Sequence, residues 1–282
     1  MRLTPSFFRR LLLFSCSGLI VGSAFLPSAY ASPTPKFLVV IDPGHGGPDT
    51  GAVYKENKVT LAEKTLTLLI ARDLARELII RGQNVVLTRN DDREVLLSDR
   101  TAMANRLKAD VFLSIHLNSS EEKIKSGGVE TFFLNHATDE TSKRLADLEN
   151  SVLKDSQANA NGGSNVNLIM KDLILDGTLT PSKELACSVQ ARIKSSTRDR
   201  GVKQALFYVL LGADMPSILI EAGFMNSKDD RVRIQNTKNR LALAAQIASA
   251  IDDYRHHKTP KRCQVLSEKL FKRDAEPTRK RI

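Results

Sequence analysis

Residues 38–41, LVVI, run without a break into the loop DPGHGGPDTGA, which holds four glycines, two aspartates and His45. A buried strand that breaks into a glycine-rich turn delivers backbone and side chains to the end of a sheet, and ligand sites of open α/β sheets form there. The bland alternative is a tight connecting turn with a surface histidine, but that needs only one or two glycines. This stretch therefore narrows the chain to folds in which a strand carries a histidine to a sheet edge.

The downstream residues are consistent with such a fold. Thr60-Leu61-Ala62-Glu63 has the form of a capping box opening a helix, and Leu66, Leu69, Ile70, Leu74 and Leu78 give that helix an apolar face. Gly82 ends it after Arg81, and residues 84–88, NVVLT, read as a second strand, so the unit is βαβ and parallel. Ser98 is a candidate cap for a helix reaching Lys108. Residues 111–115, VFLSI, read as a buried strand ending on His116, and Gly127-Gly128 precedes another over 129–134. Residues 139–156 have a helical pattern, 157–167 are loose, and 182–195 read as helix. Residues 205–210 and 217–220 read as strands, the latter ending on Glu221. From Asp229 the pattern is helical to Tyr254.

The ends of the chain read differently from its body. Arg2, Arg9 and Arg10, the apolar residues 11–26 and Ala29-Tyr30-Ala31 together form a secretory signal peptide over 1–31. The apolar stretch is too short and too broken by serine and glycine for a membrane anchor, so no stable membrane insertion is expected after cleavage. The Arg9-Arg10 pair leaves both the general secretory and the twin-arginine export routes open. The remaining chain, about 250 residues, is enough for one well-buried α/β domain. It keeps only Cys187 and Cys263, which could form a single bridge but no disulfide framework and no cysteine-rich zinc site. Any metal must rely on histidine and carboxylate. The formal charge of +10 sits at the ends, since residues 32–254 balance 29 basic against 29 acidic side chains. The basic tail, 257–282, reads as a tether to an anionic polymer or membrane surface, or as a solvated end. An exported chain with no basic patch in its body is not expected to bind nucleic acid.

Three residues able to carry chemistry stand just beyond apolar runs: His45, His116 and Glu221. If their strands share one sheet and direction, the side chains converge at one edge. Glu63, in the first turn of its helix, could face the same point. Two imidazoles and a carboxylate make a three-ligand zinc site with an open fourth position, and a second carboxylate can move the proton. Each residue also has an ordinary alternative: Glu63 suits the capping box and the helix dipole, His116 could be a satisfied strand-end histidine, and Glu221 one half of an ion pair. There is no HExxH pair. Asp42, beside the loop, could orient a ligand or simply cap the turn.

IDPGHGG-x-D-x-GA, the glutamate that begins EKTLTLLIA, TRNDD with Asp99-Arg100 and Ala104-Asn105, ADVFLSIHLNS, GGVETFF and PSILIEAGFMNS occur in that order. Together they resemble the zinc-dependent N-acetylmuramoyl-L-alanine amidases of the amidase-3 family over residues 36–254. The resemblance implies a single α/β domain over 32–256, with a mixed, mostly parallel sheet flanked by helices. It implies Zn2+ held by His45, Glu63 and His116, and Glu221 as the catalytic glutamate. The substrate would be the amide between the lactyl group of N-acetylmuramic acid and L-alanine in peptidoglycan, cut during cell-wall remodelling and cell division in the periplasm. It further implies that residues 139–180 hold an autoinhibitory helix, with Glu149 as the acidic plug and a LytM-type protein as the activator that displaces it; a plain surface helix is the alternative. Neither a targeting module nor wall-binding repeats are recognisable, which leaves the basic tail as the visible substitute. A reading from another class rests on Ser151 and Lys154, an S-x-x-K tetrad that would add a penicillin-sensitive D,D-carboxypeptidase activity, although no S-D-N or K-T-G accompanies it.

Overall fold

The residues 38–41 run becomes the start of β1, Leu38–Pro43, which lies second in a six-stranded sheet. The computed structural model describes residues 37–56, 59–119, 127–137, 139–151, 177–194, 197–258 and 260. The signal peptide, the loose stretch 157–167 and nearly all of the basic tail lie outside them. A hairpin of β2, Val53–Glu56, and β3, Val59–Ala62, comes after the glycine loop and leads into α1, Glu63–Ile80. Next come β4, Asn84–Leu87; α2, Leu97–Arg106; β5, Val111–Asn118; and β6, Val129–Leu134. The chain continues with α3, Glu140–Glu149; α4, Leu179–Ile193; and β7, Asp199–Ala205. It closes with β8, Ser217–Phe224; α5, Lys228–Gln235; and α6, Thr237–Arg255.

The strand order is β4-β1-β5-β8-β6-β7. Every neighbouring pair is parallel except β6 with β8, so the sheet is mixed and mostly parallel, as expected. Side chains alternate between two faces along each strand. On the first face Val39, Ile41, Leu113, Ile115, Ile218 and Ile220 pack against apolar residues of α1, α4 and α6. The second face carries Val40, Phe112, Phe132 and Leu219, with Leu145 and Ala146 of α3 beside them. There the pattern changes toward one end. Val40 gives way to Asp42, Phe112 to Ser114, His116 and Asn118, and Leu219 to Glu221, all of them buried. β6 runs the other way, so its Glu130 precedes Phe132 and joins the same polar end.

Several local expectations are corrected. Of residues 205–210 only Ala205 is strand, as the last residue of β7. The edge strand is β7, whose sequence DRGVKQA carries almost no apolar signal, while Phe207, Val209 and Leu210 turn into the second core around a short 3-10 helix, Tyr208–Leu210. The capping box is not formed. Thr60 is committed to the β2/β3 ladder, Ala62 precedes the helix without a side-chain cap, and Glu63 is the first helical residue. Ser98 likewise sits inside the first turn of α2, after the uncapped Leu96. α3 does begin after its cap, Asp139, which accepts a hydrogen bond from the Ser142 N–H. Cys187 is disulfide-bonded, and the other cysteines lie outside the described residues. No helix among the described residues is long and apolar enough to cross a membrane.

Candidate metal centre and active site

β1, β5 and β8 are parallel neighbours, and that brings the separated residues together. His45 stands just past β1 at φ 63°, in the left-handed region that a residue with a Cβ avoids. The loop is held there from outside. Arg89 donates to the carbonyls of Pro43 at 2.9 Å and Gly44 at 2.7 Å, and Arg100 to those of Pro43 and His45, both at 3.1 Å. Asp42 does not touch a ligand, and it does not merely cap the turn. It accepts from Thr88 Oγ1, Ser114 Oγ and Arg100, and so reaches the loop only through the guanidinium. Burial pushes the Asp42 carboxyl up, but Arg100 and the two hydroxyls outweigh it and hold the group below the usual carboxylate range. The residue that does orient the ligand is Asp49, the second aspartate of the glycine loop, to which the sequence assigned no role; its Oδ2 lies 2.9 Å from His45 Nδ1 and leaves Nε2 to face the site.

The glycines make room for the ligands. A Cβ on Gly44 would fall 2.5 Å from the His116 ring, and one on Gly51 would fall 2.5 Å from His45 Cδ2 and 2.7 Å from Glu63 Oε2. Only glycine fits at these close approaches.

Glu63, freed from the cap, points inward. Its Oε2 accepts from the Ala52 N–H and its Oε1 from the Leu117 N–H, each at 2.9 Å. Oε1 also lies 3.0 Å from His45 Nε2 and 3.3 Å from His116 Nδ1. Glu149, the last residue of α3, brings Oε2 to 3.0 Å from His116 Nδ1 and 3.5 Å from His45 Nε2. One ligand atom from each of His45, Glu63, His116 and Glu149 lies within 4.8 Å of the others. His45 Nε2 and His116 Nδ1 are buried without a hydrogen-bond partner among the described residues. Burial would push both imidazoles down, yet the carboxylates around them raise each to about 10: Glu63, Asp49 and Glu149 for His45, Glu149 and Glu63 for His116. Burial pushes Glu63 up, and the two histidines pull it far below its ordinary value. The cluster thus favours positive charge at its centre, and its two unpartnered nitrogens with two carboxylates are a donor set that suits a divalent zinc ion.

Glu221 is not part of that cluster. It stands opposite His116 in the β5/β8 register, fully buried, with neither oxygen hydrogen-bonded among the described residues. Burial, then Glu149, Glu63 and Glu130, raise its carboxyl well above the ordinary value, so it holds a proton readily. Glu130 was not singled out by sequence. It faces Glu221 across β6/β8 and accepts from Asn118 Nδ2 at 2.6 Å. The signal was there: in GGVETFF, period-two alternation from Phe132 puts Glu130 on the same face. Ser151 is exposed beyond the C-cap residue Asn150, and Lys154 lies outside the described residues.

Residues 39–253 match the Amidase_3 family, described as N-acetylmuramoyl-L-alanine amidase. The chain is 31% identical over 228 residues to the N-acetylmuramoyl-L-alanine amidase AmiA of Escherichia coli, spanning 78% of this chain and 77% of AmiA. It is 32% identical over 221 residues to AmiC of Neisseria meningitidis, spanning 77% of this chain and 52% of AmiC. Among solved structures, an N-acetylmuramoyl-L-alanine amidase from Clostridium difficile 630 superposes with a TM-score of 0.59 at 34% identity, covering 78% of this chain and 96% of that one.

Proposed function

The chain belongs to the Amidase_3 family of N-acetylmuramoyl-L-alanine amidases, and from that premise we propose a zinc-dependent hydrolase that cuts between N-acetylmuramic acid and L-alanine in peptidoglycan. His45, Glu63 and His116 would hold the ion. Bound there, zinc would polarise the scissile carbonyl and lower the pKa of a water toward 7. Glu221 takes the proton of the attacking water on its carboxylate and returns it to the departing alanine nitrogen. The observation that carries this reading is Glu221 itself: buried, without a hydrogen-bond partner among the described residues and in register with His116, it has no structural task that would explain its burial.

Glu149 is read as a plug. Its carboxylate occupies the fourth corner of the donor set, where substrate and water would otherwise enter, so the enzyme is autoinhibited until an activator protein of the LytM type displaces α3. The leader over 1–31 supports work in the periplasm, at cell-wall remodelling and division, and the basic tail tethers the enzyme to an anionic surface.

The test is digestion of purified sacculi with the mature chain and with its Glu149→Ala variant, each with and without EDTA, followed by mass spectrometry. Free stem peptides beginning at L-Ala are expected, and EDTA should abolish them. Products that keep the peptide on the sugar would overturn the reading.

A further inference from the structure

The polar stripe on the second face does not stop at Glu221. One strand further on, Glu130 is 1% exposed and its Oε1 is satisfied by Asn118. Its Oε2 serves two cations from the edge strand β7, Lys203 Nζ at 2.7 Å and Arg200 Nε at 3.1 Å. One cation balances a buried carboxylate; the second is in excess. Both cationic side chains reach solvent, at 20% exposure for Arg200 and 19% for Lys203. Lys203 also interacts with the Asp139 carboxylate, which leaves Arg200 as the cation with donors beyond its Glu130 pair, beside a site whose carboxyls are Glu63, Glu149 and Glu221.

The position of Arg200 is also fixed. Its guanidinium carbon stands 4.7 Å from the centre of the Phe224 ring on β8, and β8 adjoins the strand that carries His116. Glu130, which holds that guanidinium, faces Glu221 across the β6/β8 register, so the cation stands one side chain away from the catalytic carboxyl. A stem peptide cut at the L-alanine nitrogen continues into a glutamate joined through its side chain. The α-carboxyl of that glutamate is left free or amidated, and it lies about 6 Å from the scissile nitrogen in an extended chain.

We propose that Arg200, assisted by Lys203, binds the free α-carboxylate of the stem residue that follows L-alanine, and so selects acidic over amidated stems. This subsite rests on the amidase reading. Arg200 keeps its ion pair to Glu130 through Nε and offers its remaining N–H donors to the substrate. Lys203 holds Glu130 in place when substrate draws on the arginine.

The experiment compares two synthetic substrates, N-acetylmuramoyl-L-Ala-D-glutamate and its α-amide N-acetylmuramoyl-L-Ala-D-isoglutamine, on the mature zinc-loaded chain. Because both meet the same population of open enzyme, the ratio of their kcat/KM values is independent of α3. The wild type should prefer the acid by about tenfold, the discrimination of one charge-assisted contact. Arg200→Gln should bring the acid-to-amide ratio of kcat/KM close to one, with Arg200→Lys intermediate. Equal wild-type rates on the two substrates, or an equal loss on both in Arg200→Gln, would overturn the subsite and leave the amidase intact. Failure of both the wild type and Glu149→Ala to cleave either substrate or sacculi would overturn the amidase reading instead.

Discussion

Two sides of the site put a ligand atom against the same pair of histidines by different means. On the His45 side, the carbonyls of three successive residues are held by two buried guanidiniums, and one guanidinium is anchored in turn on Asp42 beneath the sheet end. On the Glu149 side the carboxylate arrives from the last residue of a ten-residue helix that buries only Ser142, Leu145 and Ala146. Beyond that packing, Asn150 fastens the helix end, donating to the Leu206 carbonyl and accepting from the Tyr208 N–H. One side is built into the fold; the other is laid against it. The difference separates residues whose loss costs the metal and the fold from residues whose loss releases the site.

The largest effect falls on the group that both sides serve. Glu221→Gln should lower turnover on sacculi by about 10²–10⁴-fold, the range for a lost general base. Thermal stability should not fall, because the glutamine keeps the side chain's shape and removes a group whose charge is disfavoured by burial. On the built-in side, Arg100→Met leaves the Asp42 charge buried without its cation. A loss of about 3–5 kcal/mol is expected in denaturant unfolding, with a matching fall in zinc retention against a chromophoric chelator. A stable Arg100→Met protein that binds zinc normally would erase the contrast between the two sides.

On the other side, Glu149→Ala should raise basal hydrolysis without activator and leave unfolding little changed. Unchanged activity would mean that the carboxylate is not a plug. Asn150→Ala should act in the same direction more weakly, since it removes two hydrogen bonds worth about 1 kcal/mol each.

The smallest effect concerns acid. The Asp42 carboxyl is held low, so its contribution is fully present above its unfolded pKa near 4 and is lost as pH falls through the lower folded value. Ser114→Ala removes one donor and should shift the acid unfolding midpoint upward by a fraction of a pH unit. An unshifted midpoint would remove Asp42 from the His45 framework.

Much of the site could be read from the sequence because burial on both faces leaves uninterrupted apolar runs. LVVI, VFLSI and SILI declare β1, β5 and β8, and a polar residue at the end of such a run is conspicuous. β7 could not be read this way, since an edge strand of DRGVKQA pairs on one side only and needs no apolar run. Glu63 was legible in place but ambiguous in role. The pattern T-x-x-E is the same whether the glutamate caps a helix or leaves it, and only the β2/β3 ladder, which claims Thr60, decides. Arg89, Arg100 and Asp49 stand inside the quoted motifs, yet their roles stayed hidden because their partners are backbone carbonyls or a ring nitrogen brought near by folding.

The reversed strand β6 carries one more consequence. It starts at the site end with Glu130 and finishes at the far end with Leu134, while β7, parallel to it, must start at the site end again. α3 runs from the far end to the site end across the second face, ending on the two histidines, and α4 makes the same run on the first face just before β7. Ten residues at 1.5 Å each cover about 15 Å, close to the length of the strand it retraces. The helix therefore works as a ruler. One extra residue ahead of Glu149 would advance its end by about 1.5 Å and swing the final side chain by about 100°, taking the carboxylate off both rings while His45, Glu63, His116 and Glu221 stay in place.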